Sequence, residues 1–214
     1  MEETVLPLFP LEVVLLPEEP LPLHIFEERY KTMIGECLEA QARGVGQQDF
    51  GVLLLRGQAL SNIGCTAHIV NVARKYADGR MDILTVGKRR FELLLTNDDR
   101  PYLEGSVLFF DDDGPDVAAD SVAQLAIERF RDLIRKLRRA SNMPIHLPRP
   151  YRYLSFRIAA ALPLELEFKQ QLLTVRSEAE RVDLILRAMD ALTSQLDLLE
   201  RSQAKTRGNG NHRH

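Results

Sequence analysis

Five of the eleven prolines fall within the first thirty residues, interleaved with large apolar side chains. The stretch runs from Val5-Leu6-Pro7-Leu8-Phe9-Pro10 to Leu21-Pro22-Leu23-His24-Ile25-Phe26-Glu27-Glu28-Arg29-Tyr30. Proline fixes φ, removes a backbone donor and pushes the preceding residue toward extended conformations. Such a segment cannot open as a helix or sit inside a central strand. It is also too apolar for a solvated tail. The expected form is short edge strands broken by rigid turns and pressed onto a core, with Phe9, Leu15, Leu23, Ile25 and Phe26 filling that core and a helix starting near Phe26.

The rest of the chain divides by pattern. Residues 26–42 carry apolar side chains at helical spacing, and Gly44 and Gly46 end the helix. Phe50 to Leu55 reads as a buried strand, and 63–76 is rich in β-branched residues. Asp78-Gly79 is a hairpin turn leading into a strand over 80–86. Strands over 91–95 and 102–110 complete five or six, with little helix between them, which favours an antiparallel sheet or small barrel.

Asp111-Asp112-Asp113-Gly114-Pro115-Asp116 is an acidic linker, and beyond it the pattern turns helical. Helices are expected from Ser121 to a stop at Asn142-Met143-Pro144, then over 151–162, over 165–175, and from Ser177. Ser177 with Glu180 forms a capping box. Val182, Ile185, Met189, Leu192, Leu196 and Leu199 follow in steps of three and four, a coiled-coil-like seam compatible with a dimer. The fold class is therefore α+β: a β-barrel with one embedded helix over 1–115, a helical bundle-like region over 116–203, and a disordered polar tail over 204–214.

At 45% hydrophobic and 28% charged residues, the chain can build an ordinary core. Its start lacks a basic segment followed by an apolar one, and no apolar run reaches membrane-spanning length. Cys37 and Cys65, without CxxC spacing, suit buried thiols in a reducing compartment, so a cytoplasmic location is expected and no membrane partner.

Few residues carry catalytic promise. Val86-Gly87-Lys88-Arg89 approaches a phosphate loop, but Asp82 stands where its first glycine belongs and Arg89 replaces the magnesium-binding hydroxyl. GxSxG is absent. Cys65 and His68, three apart in a strand, point to opposite faces. The five scattered histidines, His212 and His214 among them, cannot assemble a zinc site, and the 111–116 carboxylates suit a solvated linker. No cofactor, metal or catalytic residue is expected.

The strongest charge feature is basic. Between Glu128 and Arg157 lie Arg129, Arg131, Arg135, Lys136, Arg138, Arg139, Arg149, Arg152 and Arg157, with Tyr151 and Tyr153 among them. One reading is a contact face for RNA, centred on Arg131, Arg135, Arg138, Arg139, Arg149 and Arg152. The other is helix-terminal arginines that complement the dipole and keep a polar surface solvated.

Taken together, Leu6-Pro7-Leu8-Phe9-Pro10, Leu15, Pro17, Leu21 to Glu27, Arg29-Tyr30, Phe50-Gly51-Val52, Ile63 to Ile69, Asp78 to Gly87, Arg89-Arg90-Phe91 and Pro101-Tyr102-Leu103 resemble the N-terminal substrate-recognition domain of Lon proteases. Ala161-Leu162-Pro163-Leu164, Lys169 to Leu173 and Arg181 resemble it in the helical part. The resemblance implies a PUA-like barrel followed by helices, and a role in capturing unfolded or tagged polypeptide. Lon adds an ATPase and a Ser–Lys protease, whose motifs this sequence lacks, so a non-catalytic module or adaptor is expected. Its partners would be unfolded or hydrophobic polypeptides and a protease or chaperone, with RNA as the alternative, and its state a monomer or homodimer. The residues put forward for peptide contact are Leu21, Leu23, His24, Phe26, Arg29 and Tyr30. Position 18, glycine in the family pattern, is Glu18, a departure expected to alter that turn.

Overall fold

A computed structural model describes residues 3–137 and 149–208, with side chains described through residue 202. Six strands and five helices follow the order β1 (Glu3–Leu11), β2 (Pro20–Ile25), α1 (Glu28–Arg43), β3 (Phe50–Arg56), β4 (Ala59–Lys75), β5 (Met81–Asn97), β6 (Glu104–Phe110), α2 (Asp120–Leu137), α3 (Leu154–Ala160), α4 (Leu166–Thr174) and α5 (Glu178–Gly208). The class is α+β. Two compact units emerge, Met1–Gly114 with Ala159–Arg176, and Pro115–Ile158 with Ser177–His214.

In the first unit the strands pair in the order β2-β5-β4-β3-β1-β6, and β6 also pairs with β5. Five strands thus form a closed circuit of pairings, and β2 extends it from β5. All pairings are antiparallel except β1 with β3, which is parallel. Proline tolerance explains how β1 is used. It pairs with β6 over Glu3–Pro7 and with β3 over Leu8–Leu11, so each half has one partner and neither proline interrupts a doubly bonded strand. Leu6, Leu8, Leu53, Phe91 and Val107 are buried together, with Leu60, Leu93, Leu103 and Phe109 packed around them.

The two strands expected over 80–86 and 91–95 are one, β5, and Gly87 lies within it rather than at a strand end. The Asp78-Gly79 turn is present: Gly79 has φ +85°, and Asp78 accepts the Arg80 N–H. α1 ends at Gly44, whose φ of +67° closes the helix. Phe26, expected in the core, is 60% exposed, because the inward positions of α1 are Tyr30, Met33, Ile34 and Cys37.

Glu18 adopts φ +66°, so the turn keeps the left-handed geometry that glycine would supply. A side chain there costs about 1–2 kcal/mol. Glu18→Gly, which also gives back unfolded-chain entropy, is expected to raise stability by about 1 kcal/mol. A higher urea midpoint at unchanged m-value would show it; a lower midpoint would mean that the glutamate's own contacts outweigh the strain.

In the second unit α2 packs on α5. The Ser177 hydroxyl accepts the Glu180 N–H at 3.3 Å, as the capping pattern predicts. The polar stop at Asn142-Met143-Pro144, Arg138, Arg139 and the final residues 209–214 lie outside the described residues.

Candidate peptide-recognition face

The sheet register places two sets of β2 side chains. Leu21, Leu23 and Ile25 share one parity, with Ile25 buried and both leucines half-buried; Pro20, Pro22 and His24 share the other and are exposed. Cross-strand partners share a face. Pro20 stands beside Val86, Pro22 beside Leu84 and His24 beside Asp82. On β4 these rows continue to His68, Asn71 and Arg74, and Val70, 48% exposed, sits where the register slips between Ile69 and Asn71. The outward surface is therefore apolar on β2 and β5 for two rows, which end on β4 at His68, paired with Asp49 at 2.7 Å, and at Asn71, and it is polar-aromatic in the third row.

That third row is built tightly. His24 Nδ1 and Asp82 Oδ1 lie 2.6 Å apart, and the Tyr76 hydroxyl donates to Asp82 Oδ2 at 2.8 Å. These two contacts, the histidine's first, hold the Asp82 carboxyl below its ordinary range. The guanidiniums of Arg74 and Arg80 lie 4.7 and 4.9 Å from the Tyr76 ring centroid. The His24 and Phe26 rings are 6.0 Å apart.

The free edge of β2 is poor in donors. A proline survives in a paired strand where its missing N–H would face away from the partner. Pro20, Pro22 and His24 thus turn their backbone groups outward, and His24 alone among them has an N–H. The edge offers carbonyls and almost nothing else, which blunts strand addition.

Of the residues put forward for peptide contact, His24 and Phe26 meet on this surface. Leu21 and Leu23 support it from below. Arg29 is exposed and paired with Glu27 at 2.8 Å, its guanidinium over Tyr30. Tyr30 is buried, stacked on Phe9 with ring centroids 4.0 Å apart. Sequence reasoning passed over Pro20, Pro22, Val70, Arg74, Tyr76, Leu84 and Val86. The usable signal was the Asp78-Gly79 turn, from which strand register can be counted outward.

The arginine-rich region lies in the other unit, and much of its charge is matched. Arg129 faces Asp190 at 3.7 Å, Lys136 faces Asp197 at 2.7 Å, Arg152 faces Asp116 at 3.0 Å, and Arg135 pairs with Asp132. Arg131 and Arg149 are exposed, Arg149 stacking on Tyr151. The thiols are poorly suited to chemistry: burial pushes Cys37 up to about 12 and raises Cys65 as well.

Residues 5–191 match the family described as the ATP-dependent protease La (LON) substrate-binding domain. The chain belongs to this family. Similar curated proteins include the Lon protease of Parabacteroides distasonis, 27% identical over 94% of the chain and 25% of its own length, and that of Flavobacterium johnsoniae, 27% identical over 69% and 19%. The chain thus spans a quarter or less of these Lon proteases. Its fold is like that of the Lon N-terminal domain protein from Xanthomonas campestris, with a TM-score of 0.64 at 24% identity, covering 86% of this chain and 98% of that one. The N-terminal domain of Mycobacterium avium complex Lon protease gives 0.59 at 16% identity, covering 87% and 98%. Among the described residues no helix is long and apolar enough to cross a membrane.

Proposed function

We propose that this Lon-family substrate-binding chain is a non-catalytic polypeptide-recognition module that takes unfolded, apolar segments on the outward face of β2, β5 and β4. The observation that carries this reading is the apolar strip of exposed Pro20, Pro22 and Val70 with half-buried Leu84 and Val86, bordered by exposed Phe26. Apolar area of this kind, ringed by polar groups, marks interaction surfaces. Rigid prolines and rings lose little entropy when a partner covers them. Contact is through side chains, since the prolines leave the outward β2 edge with the His24 N–H as its single donor for strand addition. A protease or chaperone that receives the captured segment is part of the same proposal. An RNA role for the arginine-rich region finds less support, because Arg129, Arg135, Lys136 and Arg152 already face acids.

Fluorescence anisotropy with a labelled, carboxymethylated and permanently unfolded protein tests this. The intact chain should bind it. Phe26→Ser combined with Val70→Ser, both at exposed positions, should weaken binding about tenfold with little change in melting temperature. No binding at any salt concentration would overturn the proposal.

A further inference from the structure

The apolar strip ends at a cation whose donors are uncommitted. Arg74 is exposed, lies over the Tyr76 ring and, among the described residues, makes no ion pair within 4.0 Å. Its neighbours are engaged. The Arg80 Nε donates to Asp78 at 2.8 Å, and both Asp82 oxygens are taken, one by His24 and one by Tyr76. Asp82 therefore anchors the two rings by hydrogen bonds, and Arg74 acts on it only through its charge, without a hydrogen bond or ion pair within 4.0 Å. The cation–π contact fixes where the guanidinium sits, so little side-chain freedom remains to be lost when a ligand arrives.

We infer that the segment bound on this face carries a carboxylate at the next alternate position beyond two apolar residues, and that Arg74 receives it. This rests on the polypeptide-binding reading above and specifies its ligand. The spacing comes from the register. Val86 with Pro20, Leu84 with Pro22, and Asp82 with His24 and Arg74 form successive rows two residues apart. The first row lies about 13 Å from the third at the rise of an extended chain. A segment laid along the strands with apolar side chains on the first two rows brings its next same-facing side chain to Arg74. An aspartate or glutamate there meets a planar donor array suited to two parallel hydrogen bonds. A lysine or arginine meets a fixed like charge, so the same residue selects against basic flanks.

The test uses fluorescein-labelled peptides with leucine at two alternate positions and aspartate or asparagine at the next alternate position. Each is made in both chain directions, since either orientation can lie on the face. Anisotropy titrations of the intact protein at low salt should show the aspartate peptide binding about three- to fivefold more tightly than its asparagine counterpart in one direction. The preference should shrink as salt rises and vanish in Arg74→Gln, with the asparagine peptide binding the variant as it binds the parent. Arg74→Lys, which keeps the charge without the planar fork, should retain part of the preference and guards against a fold defect in the glutamine variant. Equal binding of all aspartate and asparagine peptides would overturn the inference and leave the recognition reading standing. Failure of every peptide to bind would overturn both.

Discussion

Gly87→Ala is expected to lower the unfolding free energy by about 3 kcal/mol, at the upper end of the range for overpacking a closed site. A Cβ at this position would lie 2.1 Å from the Leu16 carbonyl oxygen and 2.9 Å from its carbon. Both are backbone atoms and cannot rotate away. The contact is pinned on either side, as the Glu18 N–H donates to the Gly87 oxygen and the Gly87 N–H donates to the Glu19 oxygen, each at 2.9 Å. Relief would need the 16–19 turn to lift off β5, breaking both bonds and shifting β2, whose register opens at Pro20 opposite Val86. Melting should therefore fall by about 6–12 °C for a chain of this size, with peptide binding lost alongside. Gly114→Ala is the control, since its Cβ would meet nothing within 4 Å. A change at Gly87 below about 1 kcal/mol would show that the turn yields easily and that the close approach is not a constraint.

Arg181→Leu should cost about 3–5 kcal/mol at neutral pH, the range for breaking one side of a buried ion pair. Arg181 and Glu178 have no exposed side-chain surface and meet at 2.8 Å. Ser155 completes the cluster. Its N–H and hydroxyl donate to the two Glu178 oxygens at 2.9 and 2.7 Å, and its hydroxyl oxygen accepts from Arg181 Nε at 3.0 Å. The Arg181 guanidinium also covers the Phe156 ring, 4.3 Å from its centroid. Burial raises the Glu178 carboxyl more than Ser155 and Arg181 lower it. A carboxyl whose folded pKa is raised contributes stability that is full below its unfolded pKa and is lost as pH climbs through the folded one. Removing Arg181 raises the folded pKa further, so the variant's deficit should be largest above neutrality and shrink toward pH 5. Urea denaturation across that range measures it. Replacing Glu178 and Arg181 together with methionine should recover most of the loss. A pH-independent deficit would mean that lost packing on Phe156, not the stranded carboxylate, sets the cost.

What could be read from the sequence was local. The Asp78-Gly79 turn, the Gly44 helix end and the Ser177–Glu180 cap are decided by residues within a few positions of one another. Phe26 failed because apolarity alone does not say which way a residue faces, and it precedes the first inward turn of α1. Arg74 was hidden by irregularity. The register between β4 and β5 slips near Cys65, Ile69 and Val72, so alternation counted from the start of β4 misplaces Arg74, and only a count back from the Asp78-Gly79 turn reaches it before a slip. The buried charge of Arg90 was equally invisible. Its guanidinium meets Asp112 at 2.5 Å and the carbonyls of Leu173 and Val175, groups that only the folded chain collects. α4 is tied to the strands in the same long-range way, through Lys169 to Glu19 and Gln170 to the Ile63 carbonyl.

The first unit draws on two separated stretches of chain, and this bears on how the protein is made. On a ribosome adding about 5–20 residues each second, all of residues 115–158 are synthesised before the 159–176 segment exists. Until then Arg90 lacks the carbonyls of Leu173 and Val175, and Glu19 lacks Lys169. The nascent chain passes through a window of seconds in which its strands are formed in sequence but not yet closed over by their last helix.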